Sequence, residues 1–460
     1  MPISIPRYEG VIGLPEDGHA ITISNSERED LACPTRWWFR HVERLKSPET
    51  GPKRFGTLWH SVIEEVHRWW QATDLAWPSH AAEVCPFCAG KGKAQSGDGL
   101  PLPETCERCD GTGDGVMERT RKSLAEASKR SSDSPGGTIF TTEEAEHLHE
   151  HLSRTFDGWL HRYGGAPYQT LRVVGVEVGL ARVILNPATG KPYCPETYLL
   201  RREDGSMRFA GTGEINQPDE PGEIVVVRWP WFQVARLDAV FAHRNTGALY
   251  VGELKSSSDP RGLVSDLTVD PQTSGYVWVL DQPEIRARFG GGEVVGFQFD
   301  VVSNSFLNDP DPLKGRPTKK NPNPPLEFSQ NRQRLTPSWR YRKTLEAAGV
   351  DPAPYAEHLL YLAGQVDPRL HLREAGTVGP DDRARYADEV FAVATRIAAA
   401  RRSIARAIDL TDVSIAVPRV PICRLPGGSC AYRAPCILDG DGTRSRFEVG
   451  TGLAWTTTTD

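Results

Sequence analysis

Hydrophobic and aromatic positions recur at helical spacing from about Arg28 to Gln71, with a break near Ser47 to Pro52 where Pro and Gly intervene, and so predict two helices. A further helix is predicted over Thr141 to Tyr163. It opens on TTEE, a capping signature, and carries Leu148, Leu152, Phe156, Trp159 and Leu160 along one stripe. From Leu171 to Ser256 the pattern changes to β-branched runs, LRVVGVEVGLARVIL, EIVVVRW, FQVARLDAVFA and ALYVGEL, parted by Gly, Pro and Asn turns, which predict a mostly antiparallel sheet. A helix around Gln272 to Leu280 and a strand VVGFQFDVV follow, then a polar, proline-rich surface loop between about Leu307 and Pro337. Helices return after it, the clearest from Asp381 to Ile408, and the last twenty or so residues read as loosely ordered. Helices bracketing a mixed sheet make the fold class α/β (α+β).

With 460 residues, 38% of them hydrophobic, the chain can fill two or three core-sized units. The pattern divides it into an N-terminal helical region (1–80), a small insertion (81–116), a sheet-bearing core (117–306), a basic proline-rich loop (307–337) and a C-terminal helical region (338–460). No run of 18 apolar residues occurs, and the opening MPISIPRYEG lacks a basic and then apolar stretch, so a soluble cytoplasmic protein without membrane association is expected. The net charge of -6 means that nucleic-acid contact would need a local basic surface.

Cysteine spacing brings in the first chemistry. Cys85-Pro-Phe-Cys88-Ala-Gly-Lys-Gly and Cys106-Glu-Arg-Cys109-Asp-Gly-Thr-Gly are two copies of CxxCxGxG, enough to supply four thiolates to one structural Zn2+. The glycines let the chain fold back over the sulfurs and leave N–H groups free to donate to them. The segment is poor in large apolar side chains and needs such a staple to fold. It is similar to the zinc-binding repeats of DnaJ-type co-chaperones, with two copies in place of four and no J-domain His-Pro-Asp. DNA contact, protein contact and simple stapling all stay open as its role. Cys194 is left over as an ordinary thiol.

In the sheet region Asp238 stands in ARLDAVF and Glu253-Leu254-Lys255 in YVGELKSS. Strand alternation sends Glu253 and Lys255 to one face and Leu254 to the other. A hairpin through the His243 to Gly247 turn would let Asp238 meet Glu253 across the ladder. Two carboxylates and an amine in one small site can hold a hard divalent cation that activates water, with Lys255 orienting that water or stabilising the developing charge. Gly56-Thr57-Leu58-Trp59-His60 begins the second helix, and Gln272 and Tyr276, one turn apart, open the helix after the Glu-x-Lys strand.

Taken in order, Cys33-Pro34, Gly56 to His60, Asp238, Glu253-x-Lys255, Gln272 to Tyr276 and Cys423, Cys430 and Cys436 resemble the RecB-like branch of the PD-(D/E)xK nucleases, which includes the Cas4 and AddB nuclease domains. The resemblance implies a restriction-endonuclease-like core, with His60, Asp238 and Glu253 as Mg2+ or Mn2+ ligands. It also implies that Lys255 serves the attacking water and that Gln272 and Tyr276 position DNA or Lys255. Glu177, in VVGVEVGL, is open between a further acidic group at the site and a plain strand residue. Four thiolates from Cys33, Cys423, Cys430 and Cys436 suit zinc or a 4Fe-4S cluster. The resemblance favours the cluster, with RLPGGS as a loop expansion between the first two C-terminal cysteines, closing both ends of the chain around the core.

Between Lys314 and Lys343 nine Lys or Arg, among them Lys319, Lys320, Arg332, Arg334 and Arg340, stand with one acid, and Trp339 is among the interleaved aromatics. A groove tracking single-stranded nucleic acid and a solvated loop both fit this stretch. No GxxxxGK[ST] motif is present, so any helicase would be a partner protein. The expected activity is a metal-dependent DNA nuclease, an exonuclease on single strands or ends, acting in recombination, repair, phage DNA processing or CRISPR adaptation. The alternative is a non-catalytic DNA-binding or assembly subunit that keeps the fold.

Overall fold

The computed structural model describes residues 10–409 apart from 17, 32–36, 38–39, 42–44, 47–50, 79–80, 82, 96–100, 110, 133–140, 165–169, 203–206, 210–221, 268–269, 314–325 and 332–334; beyond 409 it describes 424–425, 428–429 and 448–449. Its centre is a six-stranded mixed sheet of β1 (Ile21–Ser24), β2 (Leu171–Val183), β3 (Trp231–His243), β4 (Leu249–Ser257), β5 (Val294–Ser303) and β6 (His371–Thr377). Helices cover both faces, in keeping with the α/β class read from the pattern.

The long strand β3 organises the rest. One edge carries β2, antiparallel, from Leu171 opposite His243 to Val183 opposite Phe232. The other edge is shared. Antiparallel β4 takes its C-terminal part, ending at Gly252 opposite Ala239, and parallel β1 takes its N-terminal part, ending at Ser24 opposite Val234. Asp238 therefore stands where β4 leaves the ladder. Strand β4 then runs parallel to β5 from Leu249 to Ser257, a pairing that requires a crossover, and helices α5 (Pro260–Leu267) and α6 (Pro271–Leu280) lie in it once the N-terminal helices are numbered as below. Antiparallel β6 closes the sheet beside β5.

Of those N-terminal helices, α1 is Asn25–Asp30, α2 Gly51–Thr73, α3 Val116–Ser132 and α4 Thr142–Trp159. The capping box forms as expected: Thr141 Oγ1 accepts from the Glu144 N–H at 3.1 Å, and Glu144 Oε2 accepts from the Thr141 N–H at 2.8 Å. Trp59, Val62, Ile63, Val66 and Trp70, at helical spacing on α2, pack with Leu152, Phe156 and Trp159 of α4 over Ala239, Phe241 and Leu254. On the other face Val277 and Leu280 of α6 pack with Tyr386, Val390 and Ile397 of the long C-terminal helix Pro380–Asp409. Between β5 and β6 the chain builds a smaller core in which Leu307 and Phe328 meet Tyr341, Leu345, Tyr355 and Leu359. Within the proline-rich stretch Pro312–Leu313 pairs with Glu327–Phe328 as a short hairpin base. No helix among the described residues is long and apolar enough to cross a membrane.

Candidate active site

Helix α2 meets β4 at a glycine. A Cβ on Gly56 would lie 3.1 Å from Ser256 Oγ, closer than side chains ordinarily approach, so the absence of one lets the helix settle onto the strand. One turn further along, His60 Nδ1 comes to 3.2 Å from Asp238 Oδ1. The other oxygen, Asp238 Oδ2, accepts the Leu254 N–H at 2.7 Å. The carboxylate thus takes the place of a backbone acceptor just where the β3–β4 ladder stops.

A second chain of contacts runs from β4 to α6. Lys255 Nζ lies 2.6 Å from Glu253 Oε1 and donates to Gln272 Oε1 at 3.3 Å, and Gln272 Nε2 donates to the Tyr276 hydroxyl at 2.7 Å. Asp270 caps α6 by accepting the Gln272 N–H at 2.8 Å, which sets Gln272 at the head of the helix. Glu177 completes the picture. Its backbone is left-handed, with φ 51, and it is ion-paired to Arg236. The register that pairs Val176 with Ala239 and Val178 with Leu237 sets it opposite Asp238. Ligating atoms of His60, Glu177 and Asp238 all lie within 4.8 Å of one another. They line an open cleft of about 740 Å³ together with Lys53, Glu64, Lys255 and Asn304.

Charge is crowded here. Burial opposes the positive form of His60, but Asp238 beside it prevails and raises its pKa to about 9. Burial likewise works against the Asp238 carboxylate, yet His60 and the Leu254 N–H hold it below the usual carboxylate range. Burial pushes Glu253 up to about 7, against the pull of Lys255 and with the repulsion of Asp238, and it pushes Glu177 to about 7 with the same repulsion from Asp238. Glu253 Oε2 is buried with no hydrogen-bond partner among the described residues. Carboxylates whose ionisation is suppressed, an orphaned buried oxygen and an imidazole within reach form a donor set that a divalent cation would satisfy. Glu253 itself stands outside the close group of three, engaged with Lys255.

The family model of the PD-(D/E)XK nuclease superfamily matches residues 23–436. This chain belongs to that superfamily. Comparison with curated proteins gives no match. Asp238 and Glu253-Leu254-Lys255 stand in the order that the superfamily's name describes. The membership accords with the mixed sheet flanked by helices, and it makes the cleft at the end of the β3–β4 ladder the place to look for nuclease chemistry.

The four clustered cysteines form a separate centre. Cys85, Cys88, Cys106 and Cys109 are buried, with all four sulfurs within 4.8 Å of one another and Cys88 Sγ 3.6 Å from Cys109 Sγ. A tetrahedral site with metal–sulfur bonds of about 2.3 Å separates its sulfurs by roughly 3.8 Å, so this group can hold a metal ion. The two knuckles mirror each other: the Cys85 N–H donates to Gly113 O at 2.9 Å and the Cys106 N–H to Gly92 O at 3.0 Å. Gly92 and Gly113 have φ of 69 and 79, and a Cβ on either would strike backbone oxygen of the other knuckle. The repeated glycines are therefore required by conformation and by close approach.

Cys33, Cys423, Cys430 and Cys436 lie outside the described residues, as do Lys319, Lys320, Arg332 and Arg334. Trp339 and Arg340 lie in the first turn of the helix Ser338–Ala347, where Arg340 Nε is 2.6 Å from Asp309 Oδ1 and the Trp339 and His161 ring centroids are 6.2 Å apart. Arg236, Glu64 and Asn304 entered the cleft unannounced by any motif. For Arg236 a signal was present, since it stands two positions before Asp238 on one strand and so shares its face.

Proposed function

We propose that the chain is a metal-dependent deoxyribonuclease of the RecB, Cas4 and AddB type that hydrolyses phosphodiester bonds of single-stranded DNA or DNA ends. The observation that carries this reading is the convergence of His60, Glu177 and Asp238 on one cleft beside Lys255. In this reading His60, Asp238 and Glu177, with Glu253 behind them, hold Mg2+ or Mn2+; the imidazole favours manganese as an alternative to magnesium. When bound, the cation lowers the pKa of a water and screens phosphate charge. Lys255, braced by Glu253 and Gln272, faces the cleft and orients that water or stabilises charge on the phosphate, and Gln272 and Tyr276 keep it there. The substrate would come from recombination, repair, phage DNA processing or CRISPR adaptation, with a helicase or adaptation protein as partner. The test is purified protein with Mn2+ or Mg2+ on 5'- and 3'-labelled single- and double-stranded DNA. Absence of cleavage under every condition would remove the catalytic reading.

The Cys85, Cys88, Cys106 and Cys109 centre is read as a Zn2+ site. Cys33, Cys423, Cys430 and Cys436 are read as ligands of a 4Fe-4S cluster that closes the chain's ends on each other. Support for that closure comes from described residues on either side. Leu45–Lys46 pairs with Glu448–Val449, and Arg401 of the C-terminal helix is ion-paired to Glu27 of α1 at 2.6 Å, both side chains buried. Tyr386 and Asn25 add a buried side-chain hydrogen bond of 3.2 Å between the same two helices.

A further inference from the structure

At about 100° per residue, α2 presents three stripes. Lys53, Gly56, His60 and Glu64 line the cleft, and Phe55, Trp59, Ile63, Val66 and Trp70 fill the core. The third stripe carries Glu65 and Trp69, and it meets the four-cysteine knuckle. Phe87, between Cys85 and Cys88, stands edge-on to Trp69 with ring centroids 5.5 Å apart. Arg119, in the first turns of α3 just past the knuckle, reaches Glu65 at 3.2 Å and donates to the knuckle's Asp114 carbonyl at 2.7 Å. The knuckle's own ends are tied where the Gly115 N–H donates to Glu83 O at 2.8 Å. From Trp69 the ring contacts continue inward through Trp77 at 6.5 Å, Phe156 at 6.5 Å and Trp159 at 6.4 Å to Trp59 at 6.1 Å, the residue before His60.

We infer that the four-cysteine knuckle is an internal brace for the helix that carries His60. Its metal holds Phe87 and the chain leading to Arg119 against the outer stripe of α2 and so sets the roll of the helix. That roll decides how His60 meets Asp238, because a rotation of the helix moves the cleft stripe and the outer stripe together. A segment this poor in apolar side chains cannot keep Phe87 in place without its ligands bridged. The catalytic consequence rests on the nuclease reading; the mechanical one does not.

The experiment uses the full chain. Phe87→Ala keeps all four ligands, so zinc content by mass spectrometry should stay at about one per chain from this centre. Amide exchange across residues 51–73 should quicken by about tenfold, and Mn2+ affinity at the cleft, read from the electron paramagnetic resonance of free Mn2+, should weaken by about threefold to tenfold. Phe87→Tyr should restore both, which a general loss of stability would not predict. Cys88→Ser should lose the zinc and show the larger effect. Unchanged exchange over α2 and unchanged Mn2+ affinity in Phe87→Ala, whether or not Cys88→Ser folds, would overturn the brace. The same result with weakened DNA binding in Cys88→Ser would make the knuckle a nucleic-acid contact. Wild-type protein that never cleaves DNA would sink the nuclease reading while leaving the exchange result to decide the brace.

Discussion

The carboxylate of Asp238 joins two elements at once: Oδ2 accepts the Leu254 N–H of β4 at 2.7 Å while Oδ1 faces His60 of α2 at 3.2 Å. It does so at the point where β4 parts from β3, so the site is built into the sheet's own divergence. Asp238→Asn should keep the hydrogen bond and the fold and lose the cation. Cleavage should fall by at least about a hundredfold, with DNA affinity changed by less than about threefold, because removing a negative charge does not weaken phosphate contacts. Glu253→Ala should behave alike. Turnover near wild type in either, measured on labelled oligonucleotides, would remove these residues from the site.

Glu177 gives a test in which stability separates two substitutions that should weaken the metal site alike. Its φ of 51 suits glycine better than any L side chain. Glu177→Gly should therefore be more stable than Glu177→Ala by about 1 kcal/mol in denaturant titrations. Both should bind Mn2+ about tenfold more weakly than the parent if the carboxylate is a ligand. Unaltered Mn2+ affinity would make Glu177 a partner of Arg236 and nothing more.

The close approach of β4 to β3 depends on Gly252. A Cβ there would lie 2.4 Å from the Phe241 ring and 2.8 Å from Ala239 Cβ. Gly252→Ala should cost about 1–3 kcal/mol of stability and lower activity through the displaced Leu254 N–H, both read from the same preparation by denaturation and cleavage.

Burial, with Arg162 nearby, holds His371 neutral and pushes its pKa down to about 3, and neither ring nitrogen has a hydrogen-bond partner among the described residues. Between pH 6.5 and about 3 the unfolded chain binds a proton at this position that the folded chain refuses. The contribution is neutral above pH 6.5 and turns against the fold as pH falls. At pH 5 it amounts to about 2 kcal/mol. His371→Phe should therefore lose less stability than wild type on going from pH 7.5 to pH 5, and parallel pH profiles would contradict this.

Anaerobically purified protein should be brown, with broad absorbance near about 400 nm, if Cys33, Cys423, Cys430 and Cys436 hold iron. Cys430→Ala should bleach it and lower the melting temperature. Colourless wild-type protein with about two zinc per chain would reassign this set to zinc.

What depends on short range was legible in the chain alone. The capping box at Thr141 and Glu144, the helix that starts beside Gln272, the strand order around Asp238 and Glu253, and the paired cysteine knuckles all follow from spacing within a few residues. Backbone geometry converts such spacings directly into neighbours. Glu177 stayed open between the site and a plain strand position because its place depends on departures from alternation: a register shift between Val173 and Gly175 and then its own left-handed backbone. Val176 packs under α2, so strict alternation would turn Glu177 away from that side, and only the assembled β2–β3 pairing holds the distorted backbone that brings it to His60. Arg340 shows the same dependence. Its charge is legible in the run of basic residues, but only the fold sets Asp309 beside it. The bracing of α2 by Phe87 was equally invisible, because a side chain's partner across separate elements is chosen by packing of the whole core, and packing leaves no periodic trace in the chain.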